Sequence, residues 1–356
     1  MGALTAPSSC RLRCSVGAVT DIDERRPGSP IPDGDLRPEL ERILTLRFGA
    51  AGRVASLSRR PLDDRSSFAI EELKVELADG RTLDLVLKDV GASGLSAAAR
   101  RVRPAFLYDP LREIETYRSI LVPERVPSPA LFGVVVDPGR SPLWLVLERV
   151  RGHPLWREGD FSVWRRAATV LAHVHTRLAP VAAARAQAAH LLRHDTDLLR
   201  TWPARAARFG RLTGPLAGLL DHYEPVVQRL TSLPVTLVHG EFYAANIMVR
   251  RGASQQHDIC PLDWELAGLG PGLLDLAALT SGRWTEAQRT AMALAYHAAL
   301  PQASRPERDE LLVSLEFCRL HVAVHWLGWA EDWSPPAEHD HDWLGETVTL
   351  AQRLLA

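Results

Sequence analysis

Leu237-Val238-His239-Gly240-Glu241-Phe242-Tyr243-Ala244-Ala245-Asn246-Ile247-Met248-Val249 is the densest polar cluster of the chain, and its reading decides the fold. An apolar run leads in and another leads out, which predicts two short strands around a loop. Between them an acid, Glu241, and an amide, Asn246, stand five positions apart, so one loop can aim both into one cleft. A further apolar run, Ile259-Cys260-Pro261-Leu262, delivers Asp263-Trp264-Glu265 at its tip. Carboxylate and carboxamide oxygens are hard ligands that suit Mg²⁺, above all when substrate phosphates complete the octahedron. An acid near the nucleophile, an amide on one metal and an acid bridging metal to nucleotide are the parts of a phosphoryl-transfer site. The plainer alternative is a polar turn between strands; the spacing and the downstream Asp263 favour the site.

Composition sharpens that reading. Lys74 and Lys88 are the only lysines among 42 Lys plus Arg, leaving 40 arginines, and Asn246 is the only asparagine. A bias this strong replaces Lys by Arg and removes Asn wherever chemistry allows, so a surviving Lys or Asn is a better-than-average clue to a position where a substitute fails. The 356 residues carry 43 acids and a net charge of -1, which gives no overall basic field to hold nucleic acid or an anionic membrane. With 46% hydrophobic and 24% charged residues, the chain has globular proportions and the length for two cores. Cys10, Cys14, Cys260 and Cys318 make neither a disulfide framework nor a C-x-x-C zinc pair. No positive segment followed by an apolar run opens the chain, and no stretch of about 18 apolar residues occurs, so the expectation is a cytoplasmic protein.

Outward from the cluster, residues 1–35 are rich in Ser, Pro, Gly and Asp and read as a flexible tail. Pro38 begins a short helix that Gly49 can end. Leu73, Val75 and Leu77 alternate with Glu72, Lys74 and Glu76, the pattern of a half-wetted strand. After a D-G turn at Asp79-Gly80 the run Leu83 to Lys88 is apolar on both faces, which predicts a central strand. A helix follows Pro110, and Leu131–Val136 and Leu143–Leu147 complete a small sheet. Beyond it, helical spacing covers Trp156–Ala179, Ala184–Arg208 and Leu216–Leu233; after the β island it covers Leu273–Leu279, Glu286–Leu300, Glu307–Trp329 and Leu344–Leu355. The plan is α+β and bilobal: tail 1–35, an N-lobe over 36–150 with a small antiparallel sheet, a connector near Glu148–Gly152, and a larger helical C-lobe over 151–356.

The motifs resemble the aminoglycoside phosphotransferase and choline kinase superfamily, small-molecule kinases with a protein-kinase-like fold, over roughly residues 50–350. His239-Gly240-Glu241-x-x-x-x-Asn246 is similar to its H-G-D-x-x-x-x-N, and Asp263-Trp264-Glu265 to its D-W/F-E/D. Gly272-Leu273-Leu274-Asp275-Leu276-Ala277 resembles the G-x-x-D-L-A segment whose Asp braces the catalytic-loop backbone. The resemblance implies ATP and Mg²⁺ as cofactors and a small-molecule hydroxyl as acceptor: an amino sugar, antibiotic, sugar or amino alcohol. It implies Glu241, Asn246 and Asp263 as catalytic residues, with Asn246 and Asp263 on the metal. Lys88 falls where the α/β-phosphates are contacted, with Glu113 of an E-x-x-x-Y helix as its partner. Ser66 and Ser67 fall in the phosphate-covering loop, and Glu148 and Val150 in the connector that receives adenine. His175, in Ala172-His173-Val174-His175, is implied to be structural, and His239 reads as a hydrogen-bonding residue behind the loop.

Two departures from the family pattern motivate an alternative, a nucleotide-binding scaffold without turnover. Glu241 replaces Asp, moving the carboxylate by about 1.5 Å, one bond length. The segment Asp63-Asp64-Arg65-Ser66-Ser67-Phe68 has no Gly where the phosphates are covered. Glu265 stays open between a second metal and a cap of the following turn, and Lys74 reads as a surface charge. Glu331, Asp332, Glu338, Asp340, Asp342 and Glu346 read as a solvated acidic face, with an acidic wall for a cationic acceptor as the functional option. Trp326, Trp329 and Trp333 read as core, and His339-Asp340-His341-Asp342 as a loop rather than a metal site.

Overall fold

The computed structural model describes residues 33–62, 67–136, 143–251, 257–331 and 341–355. Helix α1 (Asp33–Phe48) leads into β1 (Val54–Pro61), β2 (Ala69–Leu77) and β3 (Thr82–Asp89); α2 (Ala97–Val102), α3 (Arg112–Thr116), β4 (Leu131–Val136) and β5 (Leu143–Glu148) follow. The five strands form one antiparallel sheet in the order β1-β2-β3-β5-β4. β3, apolar on both faces, takes the middle, because only there do both faces find cover. Leu36, Leu40, Ile43 and Leu44 of α1 share a core with Leu73, Val75, Leu85 and Val146. Ile114, Tyr117 and Ile120 join Phe68, Leu145 and Leu147 in a second core.

After β6 (His153–Pro154) the chain becomes mainly helical: α4 (Phe161–Ala184), β7 (Leu192–Arg193), α5 (Thr196–Arg208), α6 (Glu224–Thr231), β8 (Val235–Val238), β9 (Ile247–Arg251), β10 (His257–Pro261), β11 (Gly268–Pro271), α7 (Leu273–Leu279), α8 (Glu286–Ala299), α9 (Arg308–Leu327) and α10 (Trp343–Leu354). The β island splits into two sheets, β10-β9-β6 and β7-β11-β8. Each polar loop therefore bridges them: residues 239–246 run from β8 to β9, and residues 262–267 run from β10 to β11. Gly152, on the connector, sits so close to β9 that an added Cβ would lie 2.2 Å from the Val249 carbonyl oxygen. Among the described residues no helix is long and apolar enough to cross a membrane.

Several elements depart from expectation. α1 starts at Asp33, so Pro38 lies inside the helix rather than in its first turn. β1 is an edge strand with Val54 as its one buried residue, too little apolar signal to read; Arg59 ties it to Glu71 of β2 at 2.7 Å. The helix expected over Ala184–Arg208 is broken, because Leu192–Arg193 runs parallel to β11. β11 itself reads Gly-Leu-Gly-Pro, which looks like a turn. Its glycines let β7 approach: a Cβ on Gly268 would lie 2.8 Å from the Leu192 carbonyl oxygen. Within Leu216–Leu233 regular α-helix covers only Glu224–Thr231.

The helical core holds three histidines in neutral form. His321 Nδ1 meets the Tyr223 hydroxyl at 3.0 Å, and Nε2 of both His194 and His325 is shut off from solvent without a partner. Burial pushes His194 down to about 4 and His325 to about 3, and lowers His321 far below its usual value. Unfolded imidazoles titrate near 6.5, so below that pH the unfolded chain binds protons that the fold refuses; stability is lost from about pH 6.5 down to about 4 at up to roughly 1.4 kcal/mol per pH unit per histidine. We expect the urea midpoint to drop between pH 7 and pH 5, by less than the three histidines alone would give because the raised Glu113 and Glu241 carboxyls take up protons in the fold over the same range, and equal midpoints at the two pH values would contradict this.

Candidate active site

Asp275, almost wholly buried in the first turn of α7, organises the loop after β8. Its carboxylate accepts the His239 N–H at 2.7 Å and the Gly240 N–H at 3.0 Å, and meets His175 Nε2 at 3.1 Å. The Tyr296 hydroxyl lies 3.0 Å from the other His175 nitrogen. Gly240 has φ 87°, and a Cβ there would lie 2.4 Å from the Leu266 carbonyl oxygen, so glycine is required twice over. His239 Nε2 donates to the Leu262 carbonyl at 2.7 Å while its Nδ1 accepts the Glu241 N–H at 3.3 Å, which fixes a neutral tautomer; burial lowers its pKa. The histidine thus fastens one loop to the other.

Both polar tips are then aimed. Asn246 Nδ2 donates to the Glu241 carbonyl at 3.0 Å, the one orientation that matches donor to acceptor, and this leaves Oδ1 for a cation. The Asn246 carbonyl accepts the Leu262 N–H at 2.8 Å, bringing it beside Asp263. Asp263 has φ 62° and ψ 64°, a left-handed conformation that costs energy in a non-glycine residue and is held by its surroundings. Lys88 Nζ, reaching down from β3, lies 2.5 Å from Asp263 Oδ1 and 2.6 Å from Glu113 Oε2 of α3, over the ring of Phe68. Burial alone would strip the charge from Lys88, but Asp263 and Glu113 outweigh it and raise its pKa. Asp263 is lowered in return, chiefly by Lys88, against the effect of its burial.

Arg103, following α2, pairs with Glu265 at 2.7 Å, both side chains being more than nine-tenths buried. Two cations, Lys88 and Arg103, thus face four carboxyl groups, Glu113, Glu241, Asp263 and Glu265. Burial, then the charges of Glu265 and Asp263, push Glu241 up to about 8. Burial lifts Glu113 to about 7, against the pull of Lys88. This excess of acid fits a divalent counter-charge. Among the described residues no three His, Cys, Asp or Glu side chains gather into a cage. The sparse donor pair of Asn246 and Asp263 suits Mg²⁺, which leaves its other positions to water and phosphate.

The structure places the remaining expected residues as follows. Ser66 lies outside the described residues, and the Ser67 carbonyl accepts the Ser96 N–H at 3.0 Å, pinning the start of α2. The Glu148 side chain turns to the Ala130 N–H (3.1 Å) and Arg250 (2.9 Å), bracing the connector from outside, whereas Val150 keeps its backbone groups free of hydrogen bonds among the described residues. The Glu265 carboxylate goes to Arg103. Of the C-terminal acids, Glu346 is an internal partner of Arg319 (2.8 Å) and His341, so the solvated-face reading fails for it, whereas Asp342 stays exposed while capping α10. Asp332, Glu338, His339, Asp340 and Trp333 lie outside the described residues. Trp326 is buried against Tyr243, as a core residue should be.

Two features escaped the sequence reading. One is Arg103. The other is a cavity of about 290 Å³ lined by Trp156, Trp164, Trp284, Trp343, Tyr243 and Glu158, among others. The available signal was compositional, 10 Trp against 8 Phe and 5 Tyr.

Fold and site together define a two-lobed, kinase-like phosphotransferase. The sequence profile described as "Phosphotransferase enzyme family" matches residues 70–311, and the chain belongs to that family. Solved structures with the same fold include a microcompartment-associated aminopropanol kinase (18% identity, 88% of this chain and 98% of that one, TM-score 0.58). An ethanolamine kinase of Plasmodium vivax is also similar (10%, 91% and 96%, TM-score 0.54), as is the GDP complex of aminoglycoside 2'-phosphotransferase-IIIa (13%, 89% and 98%, TM-score 0.54). At these identities the likeness concerns the fold alone. No curated protein matches the sequence.

Removing the buried Asp275 carboxylate leaves two backbone N–H groups and an imidazole without their acceptor. Asp275→Ala should lower the unfolding free energy by about 3–5 kcal/mol, read from urea titration; a loss within experimental error would show that the loop needs no brace.

Proposed function

We propose that this protein transfers the terminal phosphoryl group of ATP, with Mg²⁺, to a hydroxyl of a compact small molecule. The observation that carries the reading is the position of Lys88 Nζ, within 2.6 Å of both Glu113 and Asp263 beside the loop that presents Glu241 and Asn246. Lys88, steadied by Glu113, meets the α/β-phosphates. The free backbone of Val150 offers the donor and acceptor that an adenine edge takes. Mg²⁺ held by Asn246 and Asp263 would supply neutralisation of phosphate charge. The acceptor oxygen forms its bond to the γ-phosphorus as the bond from that phosphorus to the β-bridging oxygen breaks, and ADP leaves with the electron pair. The hydroxyl proton passes to the Glu241 carboxylate, which burial and the neighbouring acids make more basic than a free carboxylate.

The tryptophan-lined cavity is the proposed acceptor site, because Tyr243 and Ala244, two and three residues beyond Glu241, form part of its wall. About 290 Å³ is at the small end of ligand pockets, which favours a single ring or a short amino alcohol over a multi-ring antibiotic. Indole faces bind sugar rings and alkylammonium groups alike, and Glu158 adds a negative charge. Aminopropanol and ethanolamine, named for two of the similar folds, are acceptors of this size. A scaffold needs neither an acceptor cavity nor the Glu113–Lys88–Asp263 chain, so both favour turnover.

Metabolite panels of amino alcohols, sugars and amino sugars incubated with enzyme and ATP should yield a product heavier by one phosphate in mass spectrometry. Asp263→Ala should abolish that product, and Asn246→Ala should lower kcat by about a hundredfold or more. An Asp263→Ala variant that turned over ATP at the wild-type rate would refute the assignment. Trp284→Ala should raise the acceptor KM by about tenfold while leaving the KM for ATP unchanged.

A further inference from the structure

Arg103 is a built but incompletely used cation. Its side chain is 7% exposed and gives Nη1 to Glu265, its Nε is buried with no acceptor, and its Nη2 keeps some contact with solvent and has no partner among the described residues. A buried donor left unpaired is costly, and an arginine in a ready-made structural bridge normally spends its fork on two oxygens. The group is also held where phosphate charge would sit. It lies over the ring of Phe68 at 5.6 Å, and Lys88 Nζ lies over the same ring at 5.2 Å, so one aromatic platform carries both cations. Its charge is felt at Glu241 and Asp263. The segment that carries it is fixed to the end of the phosphate-covering loop by the Ser96–Ser67 backbone bond and the Phe68–Leu95 bridge. That loop has no glycine between Leu62 and Phe68, so it lacks the residue that lets backbone amides crowd onto phosphate.

We propose that Arg103 is a phosphate-clamping residue of the proposed reaction, donating from Nη2 to an oxygen of the terminal phosphoryl group while Glu265 positions the guanidinium through Nη1. It forms no covalent bond; it adds positive charge to the phosphoryl group as the bond to ADP breaks and the bond to the acceptor forms, the role that a glycine-poor covering loop leaves unfilled. The inference rests on the kinase reading above. Its specific content is that the arginine senses the terminal phosphate and not the rest of the nucleotide.

Calorimetric titration with Mg·ADP and with Mg·AMP-PNP, a non-hydrolysable ATP analogue, separates these cases without knowledge of the acceptor. Arg103→Ala should weaken Mg·AMP-PNP binding at least about tenfold and change Mg·ADP binding less than about twofold, and millimolar guanidinium should restore part of the loss. Arg103→Lys keeps the charge on a stem one atom shorter and cannot offer separate nitrogens to Glu265 and to phosphate; it should show the same selective loss, and it decides the matter if the alanine variant does not fold. Equal losses for both nucleotides would make Arg103 a latch between Glu265 and the N-lobe and overturn the proposal, as would unchanged affinities in both variants. Failure of the wild-type protein to bind either nucleotide would overturn the kinase reading itself, a result distinct from the other two.

Discussion

A buried ammonium group cannot stay charged alone, and the architecture follows from that constraint. Lys88 sits on the central strand, where both faces of the sheet are covered, so its charge must be met by carboxylates brought from elsewhere. Glu113 comes from the helix under the sheet and Asp263 from the loop between β10 and β11. One nitrogen therefore ties the sheet, the helix and the helical lobe together. The Coulomb attraction has to exceed the desolvation of three groups, which only close geometry achieves, and the two contacts near 2.5 Å are that geometry.

The second support is Asp275, which acts on the backbone. By holding two consecutive N–H groups it sets the turn at Gly240, and His239 passes that placement to Leu262 and so to Asp263. Chemistry-bearing side chains on two different sheets are thereby kept in one frame by groups that touch no ligand. The strain of Asp263 in a left-handed conformation is tolerable because Lys88 on one side and the Leu262–Asn246 bond on the other over-determine it.

The sequence made much of this legible for reasons of scarcity and spacing. Against 40 arginines a retained Lys88 stands out, and a single Asn246 five residues after Glu241 can hardly be read otherwise. The same bias hid Arg103: a functional arginine among so many carries no signal, and only the three-dimensional contact with Glu265 separates it from the solvated ones. β3 announced itself through its two-faced apolarity, while β11 was concealed because close strand approach selects Gly and Pro, the residues that locally signal a turn. The tryptophans around the cavity come from four separated stretches of chain, and no local pattern brings Trp156, Trp164, Trp284 and Trp343 to one place. Glu346 misled because a charge run looks solvated until its partner Arg319 is in view.

The central claim is that Asn246 and Asp263 hold a divalent ion against nucleotide phosphates beside Lys88. Crystals grown with Mn²⁺ and AMP-PNP offer the most direct measurement, since manganese scatters anomalously and takes oxygen ligands as magnesium does. The account predicts an anomalous peak in coordinating contact with both Asn246 Oδ1 and the Asp263 carboxylate. Nucleotide bound with the peak elsewhere, or with no peak at all, would contradict it.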